Sequence, residues 1–397
     1  MSGILMLAGR VPYPLDDGWK LRTFHLLRAL ASGSRPVDMV VFGEPGHSGC
    51  PEVLQALCRD VVVVPRVKAY AASDLLCGLV LPTPFSVLNY GDAEFARAVR
   101  ELAGRNAYDL ALVEDIVMAQ YAPLVKGARR FLDMHNVESD LMARFAANCD
   151  NIFKRVYASV TAAKLGRYEQ RTAEGFDAVF VCSAEDRALL ERNGIRVPVH
   201  VVPNGVDCAL HARNGSDREP MSLVFVGSMD YHANISGVEY FHAQVLPLLR
   251  ERHPDLTVYV VGKNPPDRIR AMGGKGVVVT GAVDDVRPYL HRAAVSIVPL
   301  LVGGGTRLKI LEAMAAGVPV VSTSLGAEGI GAVHGRDILI GDTARSFADA
   351  VSTLLGNPAE GERLALMGRE FVRQRFDWSV VGQTLRHVVE QACGGAA

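Results

Sequence analysis

VPLLVGGGTRLKILEAMAAGVPVVST, residues 298–323, packs a strand, a glycine turn and a helix into one run. The spacing predicts a strand ending at Leu300, a turn through Gly303, Gly304 and Gly305, and a helix opened by Thr306. The helix stops near Gly317, with Pro319 just beyond. Glycines at a helix mouth let backbone N–H groups close on an anion, and the helix dipole adds partial positive charge there. Arg307 and Lys309 fall in the first turn, where a cation disfavours the helix unless an anion sits before it. A diphosphate satisfies all three features. Glu312, three residues after Lys309, can accept two hydroxyls of a vicinal diol such as a ribose. Two blander readings stand beside this one. Glycine turns also serve tight strand–helix packing, and Lys309 with Glu312 also suits an ordinary i,i+3 ion pair. The run is neither a Walker A loop, since no GK[ST] follows, nor a GxGxxG dinucleotide fingerprint.

The same rhythm extends outward in both directions. Apolar runs at 4–8, 37–42, 61–64, 109–114, 130–134 and 178–182 read as strands buried on both faces, with helical stretches such as 19–32 and 92–104 between them. A second series follows at 223–227, 257–262, 277–281, 295–300, 319–323 and 338–341. Alternating strand and helix implies parallel sheets, and two such series in tandem imply two doubly wound domains facing across a cleft. The turn VVPNGVD (201–207) and the polar stretch 211–220 mark the boundary. The expected domains are 1–207 and 208–375, with a last helix at 376–397 completing the first. Hinges are expected near Asn204-Gly205 and Phe376. Residues 75–90, rich in apolar residues and prolines, read as a loop or short-helix insertion. Residues 140–175 read as one long helix with an inner stripe of Val156, Tyr157, Val160 and Tyr168. Its basic residues suit contact with anionic lipid or a phosphate-bearing substrate, though a solvated helix packed on the sheet is the more ordinary reading.

Composition bounds the function. With 397 residues, 49% hydrophobic and 21% charged, the chain can bury a core, so disorder is excluded. Lys+Arg 42 against Asp+Glu 43 leaves a net charge of -1, so nucleic acid is not an expected partner. Seven scattered cysteines without CxxC argue against a disulfide framework or a zinc ribbon and suit a reducing cytoplasm. HExxH, HxH and GxSxG are absent, so no metal site and no α/β-hydrolase nucleophile is expected.

At residues 298–323 the chain resembles the nucleotide-sugar motif of retaining GT-B glycosyltransferases of family 4 (group 1). Four more segments agree in order: PYPLDDGWKLRTFHLLRALA (12–31), LDMHNVES (132–139), VVPNGVD and RFDWSVVGQTLRHVV (375–389). The resemblance implies a GT-B fold of two Rossmann-like domains. It also implies a nucleoside-diphosphate sugar as co-substrate, no separate cofactor, and no metal. The implied acceptor is a saccharide, lipid-linked or secondary-metabolite hydroxyl or amine. By the same resemblance Glu312 is the second glutamate of the E-x7-E motif and binds the donor ribose. Gly303, Gly304, Gly305, Thr306, Arg307 and Lys309 hold the diphosphate, with Gly18 close to the donor phosphate or the acceptor. His135, at a strand end, lies beside the reacting sugar; read alone, a lone histidine is more often structural. Two departures are visible. The first glutamate of the motif would fall at Gly304, and Ser228 with the stretch around His232 replaces the arginine and lysine that many relatives carry. Arg307 and Lys309 are expected to supply that charge. A nucleotide-sugar epimerase on the same scaffold, or a non-catalytic partner of a transferase, are the competing readings. The expected location is cytoplasmic, with peripheral membrane contact compatible; the oligomeric state is not specified.

Overall fold

A computed structural model describes residues 2–43, 49–66, 81–147, 149, 151–212, 218–303 and 307–394. The chain forms two compact units, Met1–Pro203 with Val381–Ala397, and Asn204–Val380. The first holds a seven-stranded sheet of β1 (Gly3–Ala8), β2 (Val37–Gly43), β3 (Asp60–Pro65), β4 (Tyr108–Glu114), β5 (Arg129–Met134), β6 (Ala178–Val181) and β7 (Val199–Val201). Their order is β3-β2-β1-β4-β5-β6-β7, all parallel. The second holds β8 (Glu219–Val226), β9 (Thr257–Val261), β10 (Val277–Gly281), β11 (Ala293–Val298), β12 (Val320–Ser322) and β13 (Leu339–Ile340). These run in the order β10-β9-β8-β11-β12-β13, again parallel. Both sheets therefore carry the doubly wound 3-2-1-4-5-6 pattern, the first with one strand more.

Strands without polar alternation produce this result. Every residue of β1 and β2 is buried, as expected where helices cover both faces of a parallel sheet. The twelve apolar runs read from the sequence all lie on strands, with end shifts of a few residues. β7 is additional: its residues fall just before and inside the segment read as a turn.

Helix α1 (Gly18–Ala31) follows β1, and the Asp17 side chain caps it by accepting the Lys20 N–H at 2.9 Å. The stretch 140–175 is two helices, not one: α2 (Glu138–Ala147) and α3 (Ile152–Ala173). The second start is set by Asn151, whose side-chain oxygen accepts from Phe153 N and Lys154 N. The expected inner stripe holds for Tyr168, which packs on the first unit's core, and for half-buried Tyr157, and is corrected for its two valines. Ala158, Leu165, Glu169 and Ala173 are the buried residues of α3, whereas Val156 and Val160 face outward. Of the insertion at 75–90, residues 75–80 lie outside the described residues, and Phe85–Asn89 is a short helix.

In the second unit, α4 (His232–Tyr240) follows β8 and α5 (Leu308–Ala315) follows β11. Gly205 packs against the Trp378 indole, where a Cβ would come within 2.6 Å of the ring, so the turn at 204–205 requires glycine. Val206 N donates to Phe376 O and Trp378 N donates to Val206 O, tying these two segments together. Helix α6 (Trp378–Gly394) buries Trp378, Val381, Leu385 and Val389 at helical spacing. Its Gly382 lies against Ala29 of α1, and Arg386 donates to Ala29 O, so the C-terminal end packs on the first unit's own helix. No described helix is long and apolar enough to cross a membrane.

Candidate active site

In each unit the polar cluster lies at the carboxyl ends of the strands where strand order reverses, β8/β11 and β1/β4. Ligands of open α/β sheets bind at such points.

In the second unit, β11 ends at Val298, two residues before the expected Leu300. Gly303 has a φ of 115°, and a Cβ there would come 2.8 Å from Tyr231 Oη and 3.1 Å from Arg307 Nη2. Gly304, Gly305 and Thr306 lie outside the described residues. Helix α5 runs from Leu308, with Arg307 at its N-cap position. Lys309, in its first turn, donates from Nζ to Asn234 Oδ1 at 2.6 Å and lies 4.3 Å from the Phe225 ring centroid. Asn234 in turn donates from Nδ2 to Ser228 O at 2.7 Å, which turns its oxygen toward the lysine. Glycine at 227 makes the room: a Cβ there would come within 2.8 Å of both Asn234 Nδ2 and Lys309 Nζ.

Electrostatics mark the same place. Burial, then the neighbouring Arg307 guanidinium, pulls the Lys309 pKa down to about 7, with Glu312 opposing. Burial pushes the Glu312 carboxyl up, against the pull of His211 and Lys309. Among the described residues no hydrogen bond or ion pair holds the Glu312 carboxylate. Lys309 and Glu312 thus feel each other without the direct i,i+3 contact that the packing alternative required. Two cations share one half-buried corner with one carboxylate, an arrangement that an added anion would relieve.

In the first unit, α1 brings Trp19, Arg22 and Thr23 beside Glu114 at the end of β4, Asp133 on β5 and His135 just past it. Arg22 grips Asp133 with two hydrogen bonds, Nε to Oδ2 at 2.8 Å and Nη2 to Oδ1 at 2.5 Å. Its Nη1 donates to Val202 O at 2.8 Å. His135 Nε2 lies 2.9 Å from Glu114 Oε2 and 3.3 Å from Asp133 Oδ2. Thr23 Oγ1 donates to Glu114 Oε2 at 3.1 Å. The Trp19 ring stacks on the imidazole, with centroids 5.5 Å apart and planes at 20°.

Burial, then Asp133, pushes the Glu114 carboxyl up to about 7. Burial alone would also raise Asp133, but Arg22 and then His135 hold it well below the usual carboxylate range. Burial works against a charged His135, yet Asp133 and Glu114 outweigh it and lift the ring to about 9. The imidazole is therefore protonated at neutral pH, with Nε2–H committed to the two carboxylates. Nδ1 has no hydrogen-bond partner among the described residues. Glu114, Asp133 and His135 each offer a donor atom within 4.8 Å of the others, a set that could hold a divalent ion. Arg22 already occupies both Asp133 oxygens, so the cluster fits ring positioning better than ligation.

This grip supports a stability prediction. Arg22→Ala strands Asp133 as a buried, half-compensated charge, which costs about 3–5 kcal/mol. Urea denaturation at neutral pH should show that loss; a change near zero would mean that Asp133 is not held as a charge.

The residues expected from the sequence thus divide between the units. Gly303, Arg307, Lys309 and Glu312 gather in the second; His135 sits in the first. Gly18 opens α1 behind its Asp17 cap, and Asp16 and Asp17 pair with Lys20 and Arg10 rather than standing free. Sequence reasoning missed Arg22, Glu114, Asp133, Trp19 and Asn234. The available signal was an acid at or near the end of two otherwise apolar strands, DLALVE and RFLDM, where a buried charge demands a partner.

A family described as Glycosyltransferase Family 4 matches residues 20–210, and one described as Glycosyl transferases group 1 matches residues 220–357. The chain is 23% identical to an uncharacterized 44.6 kDa protein in the cps region of Klebsiella pneumoniae, over 95% of this chain and 97% of that one. It is 30% identical to the phosphatidyl-myo-inositol mannosyltransferase of Mycobacterium tuberculosis, over 49% of this chain and 55% of that protein. Among solved structures, sucrose-phosphate synthase from Thermosynechococcus elongatus superposes with a TM-score of 0.75 at 18% identity, covering 99% of this chain and all 100% of that one. The Anabaena protein HepE, solved in complex with UDP, gives a TM-score of 0.66 at 15% identity, covering 98% of this chain and 100% of that one. At these identities the two structures establish the shared GT-B architecture of two Rossmann-like domains.

Proposed function

The chain belongs to the family 4, group 1 glycosyltransferases, and on that premise we propose that it transfers a sugar with retention from a nucleoside-diphosphate sugar to an acceptor hydroxyl or amine. One observation carries the donor class. Arg307 and Lys309 stand together at a helix mouth, with the Glu312 carboxylate, unengaged among the described residues, one turn further on. Breaking the bond between the anomeric carbon and the phosphate oxygen builds negative charge on the diphosphate. Arg307 and Lys309 neutralise that charge, and Glu312 accepts the two ribose hydroxyls. His135 donates from Nδ1 to a hydroxyl of the transferred sugar. The acceptor oxygen bonds the anomeric carbon on the face that the leaving group vacates, and a phosphate oxygen takes the acceptor's proton. The chain's own two cations do the neutralising, so the reaction runs without a divalent ion or separate cofactor. HepE, caught with UDP, supports the nucleotide class. The acceptor is a saccharide, a lipid-linked saccharide or a small secondary metabolite. The location is the cytoplasm, with peripheral contact to a membrane.

Incubation with UDP, GDP, ADP and TDP sugars and mixed acceptors, read by mass spectrometry, tests the reaction. Release of the nucleoside diphosphate with a glycosylated acceptor is expected. A changed sugar on an intact diphosphate would instead indicate an isomerase, and no turnover with any donor would indicate a non-catalytic partner. Glu312→Gln keeps the shape but halves the accepting power, so nucleoside-diphosphate affinity should fall about tenfold to a hundredfold. Isothermal titration reads this directly, and an unaltered Kd would remove Glu312 from the ribose site.

A further inference from the structure

The first turns of helix α3 present their apolar side chains outward, although Leu165 and Tyr168 further on pack inward. Its buried positions hold two alanines, a leucine and Glu169, while Ile152, Val156 and Val160 are 50%, 56% and 39% exposed at i, i+4 and i+8. Phe153 beside them is 82% exposed, and Phe145 at the end of α2 is exposed too. Burying a valine or isoleucine gains more than burying an alanine. A helix that only had to pack on its domain would therefore be turned the other way. The stripe runs on to Lys164, whose ammonium donates to the carbonyl of exposed Leu81 at 2.8 Å.

The charge around this stripe is mostly positive. Between Glu138 and Tyr168 the chain carries Arg144, Lys154, Arg155, Lys164 and Arg167 against Glu138, Asp140 and Asp150, and Asp140 pairs with Arg144 at 2.5 Å. The only acid of α3, Glu169, is turned inward, where it accepts from Ser139 N and Ser139 Oγ. No ion pair between described residues holds Lys154 or Arg155.

We propose that Phe145, Ile152, Phe153, Val156 and Val160, rimmed by Lys154 and Arg155, form a docking face for an anionic lipid surface. Apolar side chains at a cationic rim suit insertion at the acyl boundary with headgroups held at the edge. A second copy of the chain would set cations against cations on the same face, which disfavours a self-complementary contact. The 22-residue helix lies on such a surface and does not span it. This gives the peripheral contact proposed above a named surface, and its test reads lipid binding alone, so its failure leaves the transferase reading standing.

Co-sedimentation of the full chain with phosphatidylglycerol/phosphatidylcholine vesicles, and with phosphatidylcholine vesicles alone, tests it. Binding to the anionic vesicles is expected, weakened by salt. Phe153→Asp with Val156→Asp should weaken it about tenfold or more. Lys154→Gln and Arg155→Gln should each weaken it about fivefold. All four positions are exposed, and circular dichroism verifies the fold; should the aspartate pair unfold, the glutamine variants carry the test. The proposal is overturned by absent binding, by equal binding to both vesicle types, or by equal binding of the variants. It is also overturned if the lipid-free chain is a dimer in light scattering and the aspartate pair abolishes that dimer.

Discussion

Lys309→Met lowers kcat/KM for transfer by roughly a hundredfold to a thousandfold, the loss expected on removing one well-placed donor to a developing anion. The same change costs little in the unliganded protein: Asn234 Oδ1 loses its donor, but a half-buried ammonium beside Arg307 is replaced by an apolar chain of similar length. Activity and stability should therefore part company, which a merely structural lysine would not allow. The pKa of about 7 sharpens the prediction. Folding lowers the lysine's value, so between about 7 and the unfolded value near 10.4 the unfolded chain holds a proton that the folded chain has lost. Stability from this group rises with pH across that window and is least below it. Donor binding brings an anion to the corner and draws the proton back. Nucleoside-diphosphate affinity should thus fall by up to about tenfold per pH unit above 7. Calorimetry in buffers of different ionisation enthalpy should show proton uptake on binding in wild type and none in the methionine variant. Proton uptake unaltered by Lys309→Met would take the lysine out of the donor site.

His135→Ala is expected to lower kcat about a hundredfold to a thousandfold while leaving nucleoside-diphosphate affinity close to wild type. The argument is positional. Nε2 is fixed by Glu114 and Asp133 and the ring face by Trp19, while Nδ1 has no partner among the described residues. An imidazole raised to about 9 presents N–H at both nitrogens throughout the neutral range. The stability that this ring contributes is complete below its unfolded value near 6.5 and is lost as pH rises through about 9. Activity should decline over that same upper limb, and the alanine variant should lose the limb. Steady-state rates from pH 6 to pH 10 decide the matter; a variant with wild-type kcat would make His135 structural.

How legible these features are depends on whether a local pattern carries them. The strands show plainly, because residues such as Leu5–Ala8 and Met39–Phe42 are apolar without alternation, a pattern that suits a sheet covered on both faces. The mouth of α5 shows as well, since glycine and basic residues there contradict ordinary helix economy. The orientation of α3 does not. Its valines look like a core stripe to any reading based on hydrophobic period, and only packing reveals that alanines took the inner positions. The break at Asn151 is likewise a capping event inside a uniformly helical composition. Long-range partners are hidden for a different reason. Arg22 and Asp133 are 111 residues apart, and Asn234 is 75 residues from Lys309. No spacing rule joins them until the sheet does.

Arg22 has one more neighbour that bears on how the enzyme would move. Its third hydrogen bond goes to the carbonyl of Val202, next to Pro203, where the chain leaves the first unit. A single guanidinium thus grips both the exit peptide and the carboxylate beside His135. Any swing of the backbone at Pro203 that drags the Val202 carbonyl would tug the arginine off its acid, leave Asp133 less compensated and tighten its hold on the imidazole's proton. Displacement of the tether is thereby converted, through one rigid planar cation, into a change of voltage at the ring.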